Sequence, residues 1–244
     1  MIETGNKETP LMQEEAYQLT GMQKIYRGVK AFADFLIALI ALIILSPLFL
    51  IVAIAIKVDS KGPVFFVQKR IGKGGKLFNC IKFRSMAIEA NHNVAGYEYA
   101  EVKSYITRVG AFLRKTSIDE LPQLYNVLTF KMSLIGYRPS QNNEFELMEG
   151  REQCGVYQVR PGITGWAQVN GRDVLAAQPN KKATFDGYYV RHLSLWLDIK
   201  ILFKTVKVVF KSDGIEEGVI VQAEESAAEQ EVEQEAAVAQ EGVK

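Results

Sequence analysis

Two adjacent carboxylates, Asp119 and Glu120, stand inside the run Ser117-Ile-Asp-Glu-Leu-Pro-Gln-Leu-Tyr-Asn-Val-Leu128 of this 244-residue chain. Leu121, Leu124, Tyr125 and Leu128 recur at helical spacing, so the run reads as a loop entering an amphipathic helix. With Ser117 as N-cap, both acids fall in the first turn, where free amides and the helix dipole keep a carboxylate ionised and attract phosphate. A structural use competes with this one. Ser117-x-x-Glu120 also matches a capping box, and acidic first turns occur in many helices. Pro122 leaves the register open, since proline sits most comfortably nearer a helix start.

Cationic residues in other segments suit the same anion chemistry. Gln68-Lys-Arg-Ile-Gly-Lys-Gly-Gly-Lys76 reads as a strand end and a glycine turn, and the following IKFRSM places Lys82 and Arg84 on one strand face. Such a pair fits two phosphate groups, or else a solvated hairpin facing lipid headgroups. The glycines lack the GxxxxGK[ST] spacing of a P-loop. Further along, Ile135-Gly-Tyr-Arg-Pro139 and Val159-Arg-Pro-Gly-Ile-Thr-Gly-Trp-Ala-Gln-Val-Asn-Gly-Arg172 prescribe turns and allow a backbone to approach a ligand closely. Arg138, Arg160 and Arg172 offer forks for phosphate. Trp166 suits a base, a membrane interface or an ordinary half-buried position. His92 and His192 have no neighbouring partner suggesting catalysis and read as surface or structural.

The elements that must position these residues include an apolar stretch. Phe35 to Ile56 is 22 positions without a charge, about 33 Å as one helix. Ser46-Pro47 sits at its centre, where proline removes a backbone donor and Ser46 can bond a freed group. Lys24, Arg27 and Lys30 precede the stretch, while Lys57, Lys61, Lys69 and Arg70 follow it, so the positive-inside rule asks for both ends on the cytoplasmic side. A re-entrant hairpin meets both clues; a straight span with a kink meets the length alone. Asp34 is expected in the interface. A last helix over 192–211 carries Lys200, Lys204, Lys207 and Lys211 on one side, with Leu195, Leu202, Val206 and Val209 opposite, suited to a headgroup interface or to a core.

Composition agrees with a membrane setting. The net charge of +1 hides a tail, 213–244, with ten acidic residues and one Lys, leaving 28 basic and 18 acidic residues in 1–212. A basic body fits an anionic membrane or phosphate-bearing substrates. Cys80 and Cys154 form no ligand or disulfide pattern, which fits a reducing cytoplasm. The expected divisions are a polar N-terminus at 1–22, a membrane helix at 23–57, a catalytic domain at 58–212 and an acidic low-complexity tail at 213–244. No secretory signal is read in the apolar stretch.

Six ordered segments, the Ser-Pro-broken apolar helix, IKFRSM, SIDELPQLYNVL, MSLIGYRP, RPGITGWAQVNGR and FDGYYVRHLSLWLDIKIL, resemble the polyprenol-phosphate hexose-1-phosphate transferases, the bacterial sugar transferases that prime capsule, exopolysaccharide and glycan assembly. The resemblance covers about residues 23–215. It implies an α/β, mostly helical fold: a small cytosolic domain on a re-entrant membrane helix with interfacial amphipathic helices, short form, on the cytoplasmic face of the bacterial membrane. It implies a magnesium-dependent ping-pong transfer from a uridine diphosphate sugar to polyprenol (undecaprenyl) phosphate. Asp119 matches the nucleophile and Glu120 its dyad partner, both near the metal. Lys82, Arg84, Arg114, Arg138 and Arg160 match phosphate-binding positions, and Asp186 a metal or sugar contact. Tyr137 stands where the family often has proline. Other glycan-assembly enzymes are implied as partners. A non-catalytic membrane scaffold would lack the carboxylate pair, and a nucleic-acid module would interleave aromatics with its basic runs; the apolar segment argues against the latter.

Overall fold

The computed structural model describes residues 17–87, 105–171 and 178–211. Helix α1 runs from Gly21 to Asp59, 39 residues, begun by a capping box in which Thr20 accepts from the Gln23 amide and Gln23 reaches back. By length and composition it is able to cross a membrane. Pro47 lies inside it, and Ser46 Oγ donates to the Ile43 carbonyl at 2.8 Å, the acceptor that loses its partner when residue 47 is proline.

One face of α1 is covered along its length. Asp34, Ala38, Val52 and Ile56 are buried, with Ala41, Leu42, Leu45, Leu48 and Phe49 partly so. The opposite face, Met22, Ile25, Val29, Phe32, Leu36, Ile40, Ile43, Leu50 and Ile54, is exposed. The covering layer begins with the antiparallel hairpin β1 (Phe65–Ile71) and β2 (Leu77–Phe83), which turns through Gly74 and Gly75 at φ 68. Arg84 lies just past β2. Its guanidinium donates to the carbonyls of Ser60 and Lys61 at 2.8 and 2.6 Å and to Ser60 Oγ. It therefore ties the end of α1 to the hairpin and does not share the surroundings of Lys82.

The run expected to be a loop entering one amphipathic helix instead follows α2 (Arg108–Lys115) and divides into a 3-10 turn at Ile118–Glu120 and α3 (Gln123–Leu128). Phe78, Cys80, Leu124, Val127 and Met132 pack with Ala38, and Phe83 and Leu113 pack with Val52 and Ile56. Each fully buried side chain of this size contributes about 1.5–3 kcal/mol.

Strands β3 (Ser133–Ile135) and β4 (Gly162–Thr164) form a short parallel pair. Here the two glycine motifs meet each other. A Cβ on Gly162 would lie 2.1 Å from Gly136 N, and one on Gly165 1.9 Å from Gly136 O. The close approach read from the glycines is thus backbone against backbone.

Helices α4 (Phe145–Gln153), α5 (Trp166–Val169), α6 (Pro179–Arg191) and α7 (Leu195–Lys211) complete the fold. The last helix buries Leu197, Asp198 and Ile201 and exposes Leu195, Trp196, Leu202, Phe203 and Val206, so its apolar row faces outward and does not join the core. Asp34 is not at an exposed interface either. It is buried, pairs with Lys30 at 3.4 Å and accepts from Ser133, while Lys30 also pairs with Asp198 at 2.9 Å. The N-terminus at 1–16, His92, Arg172, the side chains of Val209 and Lys211, and the acidic tail lie outside the described residues.

Candidate active site

The carboxylate pair does not sit in a capped helix. Ser117 adopts the left-handed conformation at φ 56 and its side chain makes no capping bond, so the expected capping box is not formed. The chain leaves α2, turns at Ser117, and carries Asp119 and Glu120 on a single 3-10 turn before α3 begins after Pro122. Proline at that boundary accounts for the short turn, because it pre-sets the start of α3. A left-handed non-glycine residue costs about 1–3 kcal/mol, so the surrounding packing holds this conformation.

Glu120 is 9% exposed and held from two sides. Lys82 Nζ approaches Oε1 at 2.7 Å, and Arg138 forks onto Oε1 at 2.8 Å and Oε2 at 3.3 Å. Burial alone would raise its pKa, but Arg138 and Lys82 more than offset this and hold it well below the usual carboxylate range. Asp119, half-buried, shifts the other way. Burial raises it and the Glu120 charge adds to this, against the pull of Lys82, Arg138 and Arg114. The two acids are therefore differentiated: Glu120 is a fixed anion, and Asp119 is the more basic and less buried group.

Three elements create this geometry. Lys82 stands opposite Phe66 near the end of the hairpin. Asn126, buried on α3, donates to Asn79 O at 2.8 Å and accepts from Ile81 N at 3.0 Å, which docks α3 and its preceding turn against β2. Arg138 follows β3, and its carbonyl accepts from Arg151 Nη2 at 2.9 Å. Arg151 is in turn paired with Asp186 at 2.6 Å, both fully buried. Asp186 thus supports the loop that carries Arg138.

One more cation borders the site. Arg70 is lowered by burial and by the Arg138 charge, and its guanidinium reaches Pro139 O at 3.4 Å. Behind Arg138, beside the Arg151–Asp186 pair, Lys182 is lowered to about 8 by burial and by Arg151. Crowding of like charges around one carboxylate pair is the electrostatics of a site that receives an anion.

Of the residues singled out in the sequence, Lys82, Arg114, Asp119, Glu120 and Arg138 come together. Arg84 belongs to the end of α1. Arg160 lies over the Phe130 ring at 5.2 Å and senses Asp34 and Arg27. Trp166 stacks on Tyr188 at 5.4 Å, with Lys200 and Lys204 over its face. His192 stacks on the same tyrosine at 4.1 Å. Sequence reasoning missed Arg70, Asn126, Arg151 and Lys182. For Asn126 a signal existed, a polar residue beside the apolar positions Leu124 and Val127; for Arg151 there was none, because its partner is 35 residues away.

Among the described residues no group of three His, Cys, Asp or Glu side chains gathers to hold a metal. Magnesium commonly uses one or two carboxylates together with substrate phosphates, and Asp119 fits that arrangement. Glu120 already receives three N–H donors.

A carboxylate pair ringed by cations and seated against one long apolar helix defines the class of this site. The chain belongs to the bacterial sugar transferase family, which it matches over residues 25–212. It is 43% identical over 194 residues to the UDP-N-acetylgalactosamine-undecaprenyl-phosphate N-acetylgalactosaminephosphotransferase of Aeromonas hydrophila, covering 78% of this chain and 45% of that one. It is 43% identical over 182 residues to the UDP-glucose:undecaprenyl-phosphate glucose-1-phosphate transferase of Xanthomonas campestris pv. campestris, covering 72% and 37%. To the exopolysaccharide production protein ExoY of Sinorhizobium fredii it is 38% identical over 212 residues, covering 81% and 92%. The chain spans under half the length of the first two relatives.

Proposed function

We propose that this chain transfers a hexose-1-phosphate from a uridine diphosphate sugar to undecaprenyl phosphate, the first membrane step of exopolysaccharide, capsule or related glycan synthesis. The observation that carries the reading is the split pair: Glu120 fixed between Lys82 and Arg138, with Asp119 beside it raised and half-open. The names of the relatives support the donor and acceptor classes.

In this reading an Asp119 carboxylate oxygen attacks the phosphorus bonded to the sugar. The bond from that phosphorus to the bridging oxygen breaks, uridine monophosphate leaves, and a phosphosugar remains on Asp119. An oxygen of undecaprenyl phosphate then attacks the same phosphorus and releases the Asp119 carboxylate. Covalent catalysis divides one transfer between two anions into two in-line steps. Lys82 and Arg138 orient Glu120 and present positive charge where phosphate oxygens gather, and Arg114 adds to the field at Asp119. Asp119 would hold magnesium together with the donor diphosphate; the ion, when bound, supplies charge neutralisation.

The seat on the membrane is part of the proposal. One domain covers α1 both at Asp34 and Ala38 and at Val52 and Ile56, which supports a re-entrant helix with both ends on the cytoplasmic face. A spanning helix would carry one of those ends across the bilayer from the domain.

The test is uridine monophosphate release by detergent-purified protein given magnesium, undecaprenyl phosphate and a panel of uridine diphosphate sugars. Release with one sugar, lost in Asp119→Asn, is the expected result. No release with any sugar from folded protein overturns the proposal.

A further inference from the structure

A second cationic cluster lies apart from the reaction centre. Arg27 on the first turns of α1 donates to Gln158 O at 2.9 Å, and it shares a cleft with Lys30, Asp34 and Arg160. Lys73, exposed on the hairpin turn, belongs to the same cluster: its turn packs against Val156–Gln158, whose Gln158 carbonyl accepts from Arg27, and with burial the Arg27 and Arg160 charges lower its pKa. Arg160 is lowered by burial and by Arg27 against the pull of Asp34. That carboxylate is already committed to Lys30 and Ser133, and Asp198, which reaches the same Lys30, is committed to it, to Tyr26 and to Tyr189. Among the described residues, neither Arg27 nor Lys73 has a carboxylate in ion-pair range, and the Arg160 guanidinium rests on a phenyl ring.

The depth of the cluster says what it meets. Arg160 lies over Phe130, and Phe130 stacks on Phe35 at 5.5 Å with the rings 6° from parallel. Phe35 is the first residue of the uncharged apolar run. The guanidinium therefore stands where headgroups give way to acyl chains, the level at which Arg and Lys stems lie in apolar surroundings while their charges stay at the interface. On the opposite face of these turns, Met22, Ile25, Val29 and Phe32 are 64–82% exposed, an apolar row suited to membrane contact.

We propose that Arg27, Lys73 and Arg160 form a binding site for the phosphate diester of an anionic membrane glycerophospholipid, at the level of Phe35 where the apolar run of α1 begins. The site is separate from the acceptor site of the proposed reaction, because the charges that act on Asp119 are those of Lys82, Glu120, Arg138 and Arg114, not these. It rests on the membrane seat of the proposed function and not on the transfer chemistry. Its occupant neutralises a cluster that would otherwise repel itself, and so secures the start of α1 against the 3-10 turn at Val156–Gln158.

The test uses the full chain in non-ionic detergent, titrated with phosphatidylglycerol, phosphatidylcholine or inorganic phosphate, with bound lipid counted by native mass spectrometry. Phosphatidylglycerol is expected to bind in preference to phosphatidylcholine. Its affinity is expected to fall about fivefold in Lys73→Gln and about 25-fold in Lys73→Glu, at roughly one charge contribution per unit removed. Lys73 is exposed on a turn, so these variants keep the fold; Arg160→Gln is the second variant, with unfolding temperature in phosphatidylcholine as its folding control. Unchanged phosphatidylglycerol affinity in all three variants overturns the site. Displacement of the lipid by equimolar inorganic phosphate overturns the lipid as occupant. Uridine monophosphate release, measured in parallel, keeps the two proposals distinct: lipid binding without release leaves this site standing and removes the proposed reaction.

Discussion

Arg151 and Asp186 are joined at 2.6 Å with both side chains wholly buried, and the same guanidinium donates to the carbonyl of Arg138 at 2.9 Å. Arg151 also lies over the Tyr137 ring at 4.9 Å. Tyr137 is itself buried edge-on against Tyr157 at 5.7 Å. The loop that carries Arg138 is thus built around a cation and two aromatic rings, and it positions the Arg138 fork on Glu120.

Breaking this pair leaves an uncompensated buried charge. Asp186→Ala is expected to destabilise the fold by about 3–5 kcal/mol, read as a lower unfolding temperature in detergent. A decrease no larger than that of an exposed control such as Lys181→Ala would show that the pair does not support the loop.

Asn126 links the carboxylate turn to the strand that carries Lys82. Removing its amide in Asn126→Ala strands the Ile81 N–H and the Asn79 carbonyl, each costing about 1–3 kcal/mol. Activity is expected to fall together with thermal stability, since Lys82 and Glu120 lose their common support. Asn126→Asp, able to keep one bond, is expected to lie between alanine and wild type.

The pH dependence follows from the divided pair. A nucleophilic carboxylate must be unprotonated, and the Asp119 pKa is raised above its ordinary 3.8, so the acid limb of uridine monophosphate release is expected above that value. Lys82→Met removes the largest charge that lowers it and should move the limb further up. Glu120 behaves oppositely for stability. Its folded pKa is depressed, so its contribution is fully present above about 4.5 and is lost as pH falls through the folded value. Acid unfolding curves and rate profiles of the two proteins check both directions.

Lys182 titrates at about 8 and not at its ordinary 10.5. It is charged below that pH and neutral above it. If it meets a phosphate of the donor, the KM for the nucleotide sugar should rise about tenfold between pH 7 and 9, the scale of a lost hydrogen bond to a charged group. Lys182→Gln should show the high KM at every pH. A wild-type KM that is flat across this range removes Lys182 from donor binding.

Cysteine labels at positions 24 and 61 are expected to react from the same side of the membrane. Reaction from opposite sides would exclude the re-entrant seat.

Local chemistry already announced much of this protein. Ser46-Pro47 foretold its own repair, because a proline frees the carbonyl four residues back and a neighbouring hydroxyl is the nearest donor. The turn at Gly74 and Gly75 and the apolar run of α1 were legible for the same reason: each depends on residues within one or two turns of chain. The carboxylate pair and three of its associated residues, Lys82, Arg114 and Arg138, could be named, but not the conformation that presents them, since Ser117 follows the packing around it and not its capping preference. The assignments of Arg84 to the end of α1, Asp186 to Arg151 and Arg160 to the membrane cluster are contacts between segments far apart in sequence. Long-range ion pairs carry no period or spacing, so the choice of which arginine meets which acid was made when the layers closed over α1.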